Sequence, residues 1–154
     1  MIGSGSLNSK VLIVRDFPEF EEDRTANVWS SPSSRLLNKI LQAAHIDYRK
    51  VYMTYIVHCR PSNNKIIAED IKNCSLYLDE LINVMEPKIV VTCGRRVLQY
   101  FLGNNKNVSS ARGKFIPVNI GNVKNVLIFS IHHPVTMIKL PNVRKKEMFD
   151  DLNN

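Results

Sequence analysis

Residues 51–65 read V-Y-M-T-Y-I-V-H-C-R-P-S-N-N-K, and this stretch joins a strand to the polar loop that follows it. The largely apolar residues up to Val57 predict a buried β-strand, and Pro61 ends it because proline cannot donate to a ladder. Tyr55, Cys59 and Arg60 then lie close together at the carboxyl end of the strand. Ligands of open α/β sheets bind at that edge, so the segment predicts a binding cleft as well as a strand.

Strands alternate with helices on both sides of this segment. Helical spacing of apolar residues predicts helices near 36–44 and 68–85, and a long polar loop is predicted before the first of them. The other predicted strands are 11–14, 88–92 and a hairpin of 115–120 with 126–131, turned by Gly121-Asn122. This alternation predicts an α/β fold of three layers, α/β/α, around a central, mostly parallel four-stranded sheet.

Length and composition indicate one globular domain with an excess of positive charge. The 154 residues are 44% hydrophobic and 23% charged, and the net charge is +7 at pH 7. We predict a single domain over residues 1–154, with flexible segments at 1–9 and 142–154. The positive charge favours an anionic partner, and nucleic acid is the first candidate.

The sequence has no targeting signal and no membrane-spanning segment. The longest apolar runs, such as 126–129, are far shorter than the ~20 residues that a membrane helix needs. Residues 1–8 lack the basic start and the apolar run of a signal peptide. Three cysteines cannot all pair with one another, and they lack zinc-ribbon or Cys-x-x-Cys spacing. These features predict a cytoplasmic, intracellular protein without membrane contact.

Four segments follow one another in an order that resembles a known family. The first, KVLIVRDFPEFEEDRT (10–25), resembles a strand with G-E-x-P-G-x-x-E-D, and it runs on into NVWSSPSSRLLNKIL (27–41). The second is residues 51–65, which resemble V-Y-I-T-N-x-V-K-C-R-P-P-x-N-R. The third is EPKIVVTCGRRVLQYFLG (86–103), and the fourth, IHHP (131–134), resembles a terminal H-P element. Together they resemble the uracil-DNA glycosylase superfamily, particularly the iron–sulfur type of bacteria and archaea.

The resemblance implies a base-flipping fold and assigns roles to individual positions. Such enzymes hold the flipped base in a pocket by stacking and by hydrogen bonds to its edge. The resemblance assigns the stacking aromatic to Trp29 and the histidine that binds the departing base to His133. It assigns the acidic residue to Asp16, which is one methylene shorter than the usual glutamate. Catalysis, if retained, is therefore expected from Asp16 and His133.

Two departures from the family pattern predict that uracil excision is lost. The glycines expected beside the pocket are replaced by Phe17 and Arg15, and the asparagine that reads uracil is replaced by Tyr55. Asparagine offers a donor and an acceptor on a short arm, whereas tyrosine has one hydroxyl on a rigid ring. A site that discriminates by paired hydrogen bonds does not survive that exchange unchanged. We expect Phe17 and Tyr55 to plug the base pocket.

The resemblance also implies an iron–sulfur cluster held by four cysteines, of which this sequence supplies two. Cys59 matches the cysteine of C-R-P, and Cys74 matches the one at the start of the following helix. The amino-terminal Cys-x-x-Cys of the family has no counterpart. Two thiolates do not hold a four-iron cluster, so we predict no metal and no cofactor, with both cysteines kept as small buried residues.

Basic residues near the predicted cleft are candidates for contacts with DNA phosphates, because such contacts position a protein on nucleic acid. They lie after strands or in loops. The candidates are Arg60, Lys65, Arg95, Arg96, Arg112 and Lys114.

Three functions remain open. The first is a DNA-binding protein of replication or repair that has kept the fold and lost uracil excision, such as a viral or phage replication accessory domain. The resemblance includes this case, because viral members of the superfamily act as polymerase processivity components. The second is an active glycosylase for uracil or another damaged base. The third is a protein-interaction or inhibitor module without DNA affinity.

Overall fold

A five-stranded sheet forms the centre of the structure, a computed structural model that describes residues 1–140 and 142–153. The strands are β1 Val11–Arg15, β2 Tyr52–Tyr55, β3 Ile89–Cys93, β4 Phe115–Ile120 and β5 Val123–Ile131. Their spatial order is β2-β1-β3-β5-β4, and the first four in this order run parallel. The predicted mixed α/β fold with a mostly parallel sheet is confirmed.

The predicted number of four strands is wrong. The chain turns at Gly121 into β5, and β4 pairs antiparallel to β5 in the same sheet, with Phe115 opposite Phe129 and Val118 opposite Val126. The predicted hairpin is therefore present, and both of its strands belong to the central sheet. The second hairpin strand begins at Val123, before the expected start at 126.

Helices cover the sheet on both faces and account for its apolar strands. Leu12 and Val14 of β1 belong to one buried cluster, whereas Ile13 between them belongs to a second cluster. Alternate side chains of a strand point to opposite faces, so a strand that is apolar throughout must be covered twice. Leu78 lies in the first cluster and Leu37 in the second, and each comes from a different helix.

The helices are α1 Phe20–Thr25, α2 Pro32–Ala43, α3 Ala68–Met85, α4 Arg95–Leu102, α5 Val108–Ala111, α6 Pro134–Lys139 and α7 Asn142–Asn153. Ser31 caps helix α2, because its side chain accepts a hydrogen bond from the Ser34 backbone N–H, and Pro32 is the first residue of the helix. Helix α3 spans the predicted range, and Pro87 follows its end. None of the helices in the described ranges is long and apolar enough to cross a bilayer.

Both ends of the described chain, within the segments 1–9 and 142–153, contact the rest of the structure. Ser4 forms a bridge with Met53 at the edge of the sheet, and the Ser9 hydroxyl donates to the Lys50 carbonyl over 2.7 Å. Met148 of α7 is fully buried. These contacts show that the two segments pack against the remainder of the chain; residue 154 lies outside the described part.

Candidate active-site cleft

The strand order creates a crevice at the carboxyl ends of the parallel strands. From β1 the chain passes to β2 on one side and then to β3 on the other, and ligands bind at such switch points. Loops after four strands contribute side chains to one cleft of about 560 Å³. Its lining includes Asp16, Phe17, Phe20, Arg60, Arg96, His133 and Lys139.

Asp16 and His133 contact each other on the floor of this cleft. The Nε2 atom of His133 lies 2.9 Å from Oδ1 of Asp16. The Nδ1 atom accepts a hydrogen bond from the Val135 backbone N–H over 3.1 Å, so the neutral imidazole carries its proton on Nε2 and donates it to Asp16. Both ring nitrogens of His133 are therefore engaged within the protein.

The Asp16 carboxylate is ionised at neutral pH. Burial raises its pKa, but the hydrogen bonds from His133 and from the Phe17 backbone N–H, together with the charge of Arg15, outweigh burial and lower the pKa below its ordinary value. The Phe17 N–H donates to Oδ1 of Asp16 over 3.0 Å. The cleft thus contains a fixed carboxylate–imidazole pair, which is an arrangement suited to proton transfer or to the positioning of water.

Gly94 allows the imidazole to reach this position. It follows β3 with a φ of 90°, and a Cβ atom built on it would lie 2.9 Å from the Cβ of His133. Any side chain at position 94 would therefore displace His133 or strain the backbone. Because the His133 ring lies against Gly94, the loop after β3 helps to determine the geometry of the pair.

A buried ionic network lies on the other side of the β1 carboxyl end. The Arg15 side chain is fully buried, and its guanidinium donates to Glu22 and Glu19 over 2.5 Å each and to Ser33 over 2.9 Å. The Tyr55 hydroxyl donates to the second oxygen of Glu22 over 2.9 Å. Tyr55 is also fully buried, and burial together with the Glu22 charge raises its pKa.

The network keeps Arg15 charged despite its burial. Burial alone lowers the pKa of the guanidinium, but the charges of Glu22 and Glu19 raise it above its ordinary value. A buried arginine is tolerated when it is paired and hydrogen-bonded in this way. The Arg15 Nε atom is buried without a hydrogen-bond partner among the described residues.

Comparison with known proteins identifies the fold. A sequence model of the Uracil DNA glycosylase superfamily matches residues 2–154. The chain belongs to the uracil-DNA glycosylase superfamily. A Type-4 uracil-DNA glycosylase of Sulfurisphaera tokodaii is 31% identical over 149 residues, which cover 93% of this chain and 67% of that protein. One from Thermotoga maritima is 28% identical over 142 residues, covering 90% of this chain and 71% of the relative.

A similar segment also occurs within a much longer protein. A DNA polymerase of Bacillus phage SP01 is 29% identical over 143 residues, which are 92% of this chain but only 15% of the polymerase. Sequence similar to this chain thus makes up most of the glycosylases above and a small part of the phage polymerase.

The predicted base-pocket residues of this superfamily member do not converge on one cavity. Phe17 lines the cleft and packs partly against the core, whereas Tyr55 is enclosed in the ionic network. Trp29 makes an edge-on contact with Tyr48, with 5.4 Å between the ring centroids. Among the described residues that line the cleft, neither Trp29 nor Tyr55 is present.

The predicted phosphate contacts separate into three groups. Arg60 and Arg96 line the cleft, and Lys65 shares a neighbouring cavity with Arg60. Arg112 instead pairs with Asp151 of α7 over 2.9 Å. The remaining two are exposed: Lys114 donates to the Ser110 carbonyl over 3.1 Å, and Arg95 begins α4.

The three cysteines lie in two places, a surface cavity and the core. Cys59 and Cys74 line a common cavity of about 570 Å³, whereas Cys93 is buried in the core, which raises its pKa to about 12. In the parts of the chain that the structure describes, no group of three or more His, Cys, Asp or Glu side chains is placed to hold a metal. Two thiols do not fit a cluster of four thiolates. The prediction that Cys59 is a buried residue is wrong, because its side chain is exposed.

Sequence reasoning missed three features of the site. Lys139 and Phe20 line the cleft, and Glu22 anchors the network, but none of them stood out by residue type or spacing. One signal for Glu22 is nevertheless present in the sequence. Glu22 lies three residues after Glu19, which is the spacing of a helix cap, and in the structure the Glu19 backbone N–H donates to Glu22 across the first turn of α1. Phe20 carried a weaker signal as an aromatic residue among carboxylates.

Proposed function

We propose that this chain is a DNA-binding protein of replication or repair that retains the glycosylase fold and no longer excises uracil. The observation that carries the proposal is the state of Tyr55. Tyr55 stands where the family resemblance implies the uracil-reading asparagine, its ring is fully buried, and its single hydroxyl donates to Glu22. A residue in this state has no polar group available to a base.

The network around Tyr55 resists opening to admit a base. If the Tyr55 ring moved aside, Glu22 would lose one of its donors and Arg15 would be exposed to a cavity. Loss of a hydrogen bond to a charged group costs about 1.5–3 kcal/mol. The binding energy of a single base would have to offset this cost before any recognition began. The arrangement favours a closed pocket.

The Asp16–His133 pair supports the same conclusion. A histidine that assists the departing base must direct an N–H at it. In this chain the Nε2 proton of His133 points at Asp16, and Nδ1 accepts from Val135. His133 would have to break one of these two hydrogen bonds before it contacted a base.

Membership of a superfamily that acts on DNA, together with the charge of +7, supports DNA as the partner. Arg60, Arg96 and Lys139 bring positive charge to the cleft itself. The similarity to a segment of a phage DNA polymerase favours a role as a replication accessory domain. The cysteine arrangement supports function without an iron–sulfur cluster.

A second candidate is an active DNA glycosylase for uracil or another damaged base. The observation that favours it is the ionised Asp16 beside His133 in an open cleft of about 560 Å³. In that function Asp16 would position the attacking water, and His133 would bind the departing base after exchanging partners. The third candidate, a protein-interaction or inhibitor module, requires no affinity for DNA.

One experiment separates the three functions. A fluorescently labelled single-stranded oligonucleotide with one uracil, and its thymine control, are titrated with the protein across a salt series. Binding is followed by anisotropy, and strand breakage after alkali is scored in the same samples. Salt-sensitive binding without breakage, equal for uracil and thymine, supports the proposal. Breakage at uracil that His133→Ala abolishes identifies the active enzyme, and neither binding nor breakage identifies the protein-interaction module.

A further inference from the structure

We propose that Phe20 and Arg60 form a stacking platform that holds an unpaired base of single-stranded DNA at the mouth of the cleft. The platform lies outside the closed base pocket. This inference rests on the proposed DNA-binding function and specifies the ligand as single-stranded rather than duplex DNA. It also specifies how the ligand is held: by stacking on an exposed ring, with its phosphates on three cations.

Phe20 is an exposed aromatic ring at a cleft, which is the first observation. It begins α1, its side chain is 56% exposed, and it contributes to the cleft lining beside Phe17. An isolated exposed apolar residue on a convex surface needs no explanation. A ring at the rim of a concave, basic cleft is different, because every nucleobase has a π-face that can cover it.

Arg60 completes the platform. Its guanidinium carbon lies over the Phe20 ring, 5.4 Å from the ring centroid. Arg60 comes from the loop after β2, so the contact joins two separate loops at the carboxyl edge of the sheet. Arginine planes and aromatic rings both stack on unpaired bases, and the contact between them holds the two surfaces in a fixed relation.

The charge balance of the cleft favours a polyanion. Its two carboxylates are held within the protein, Asp16 by a hydrogen bond from His133 and Glu19 by an ion pair with the buried Arg15. The cleft also contains three cations. Within the described ranges, none of them forms an ion pair with a carboxylate, although each has the side-chain length to contact a phosphate. These cations are Arg60, Arg96 and Lys139.

Stacking at this position selects unpaired bases. In a duplex both faces of each base are covered by the neighbouring bases, so the Phe20 ring has no free base face on which to stack. An unpaired base has a free face, which the exposed Phe20 ring at the cleft can cover. Stacking is tolerant of sequence, and we expect similar affinity for all four bases.

The test uses a single-stranded oligonucleotide with one 2-aminopurine, whose fluorescence is quenched when it stacks on an aromatic ring. The full chain is compared with Phe20→Ala, Phe20→Leu and Phe20→Trp. Loss of a base–aromatic stack weakens binding by about tenfold, so Phe20→Ala should raise the Kd by about that factor. Phe20→Trp should retain both affinity and quenching, whereas Phe20→Leu should lose the quenching although it keeps an apolar side chain.

Tyr77→Ala is the matched control, because Tyr77 is 58% exposed and lies on α3 outside the cleft lining. It should bind as the unaltered chain does, and a duplex of the same sequence should be insensitive to Phe20→Ala. Unchanged affinity and quenching in Phe20→Ala would overturn the platform and leave the DNA-binding function standing. Absence of salt-dependent binding by the unaltered chain would overturn both.

Discussion

Asp16 and His133 are 117 positions apart in the chain, and Oδ1 of one lies 2.9 Å from Nε2 of the other. Asp16 follows β1 and His133 follows β5, two strands that are separated in the sheet by β3. Gly94 lies at the end of β3, between them in the strand order, and its missing side chain leaves the room that the imidazole occupies. The pair is thus a product of the strand order and of one glycine.

The first prediction concerns Gly94. Gly94→Ala should lower the free energy of unfolding by about 1–3 kcal/mol more than Gly103→Ala, measured by urea denaturation. Both glycines have nearly the same φ, 90° and 88°, so both substitutions incur the same backbone strain. Only at position 94 does the new Cβ meet His133; at position 103 nothing lies within 4 Å.

Removal of the imidazole provides the control for that explanation. The double variant Gly94→Ala/His133→Gly should be destabilised by less than the sum of the two single variants, because the Cβ and ring atoms that the new methyl group meets are then absent. Equal losses for Gly94→Ala and Gly103→Ala would contradict the close packing of the imidazole on the glycine.

The second prediction concerns the buried network. Arg15→Met should reduce the free energy of unfolding by about 3–5 kcal/mol at neutral pH, because Glu22 is left as a buried and unpaired charge. Arg15→Met/Glu22→Gln should recover part of the loss, since glutamine keeps an acceptor for the Tyr55 hydroxyl without the charge. The comparison is made by urea denaturation of all three proteins.

An exposed pair in the same region serves as the reference. Arg24 and Glu21 form an ion pair with side chains 61% and 39% exposed. Arg24→Ala should cost only about 0.2–1 kcal/mol, because solvent screens the pair. If Arg15→Met were no more damaging than Arg24→Ala, the buried network would not be the element that keeps the pocket closed.

Local patterns in the sequence were sufficient for the regular elements of the fold. The apolar run at β1, the helical spacing of α3 and the Gly121-Asn122 turn each contain their own signal, and the structure has an element at each place. Helix α1 was predicted as loop. Its six residues are mostly charged, and it is stabilised by the contact of Glu22 with Arg15 rather than by an apolar face. Such tertiary stabilisation leaves no periodic pattern.

The site was only partly predictable for the same reason. Asp16 and His133 were found together because each lies next to a strand end and matches a family motif. Tyr55 was recognised as a departure from the family, but its partner Glu22 was not, because nothing in the spacing relates residues of β2 to α1. Arg112 is predicted to contact a phosphate, and no local pattern indicates the ion pair that it forms with Asp151 of α7. Long-range pairing of charges is not encoded in local patterns.

The third prediction concerns the cysteines. Protein produced with added iron and purified without oxygen should contain no stoichiometric iron and should lack the visible absorption of sulfur-to-iron charge transfer, because only two cysteines share a cavity. Cys59→Ser should leave the spectrum and the melting temperature unchanged, since Cys59 is exposed. Visible absorption that disappears in Cys59→Ser would show that other residues complete a cluster.

The fourth prediction concerns His58 and the dependence of stability on pH. His58 is 6% exposed, and burial lowers its pKa below 6.5. The unfolded chain therefore takes up a proton at a higher pH than the folded chain does. The contribution of His58 to the free energy of unfolding should therefore be fully present above pH 6.5. It should decrease as the pH falls from 6.5 towards the lowered pKa of the folded chain.

Replacement of His58 isolates its share of that decrease. As the pH is lowered from 7.5, His58→Gln should lose less unfolding free energy than the unaltered chain, measured by urea denaturation at each pH. His45→Asn is the matched control, because His45 is exposed and asparagine tolerates its φ of 60°. Its pH profile should follow that of the unaltered chain. If His58→Gln lost stability on acidification as steeply as the unaltered chain, the loss would come from titrating groups other than His58.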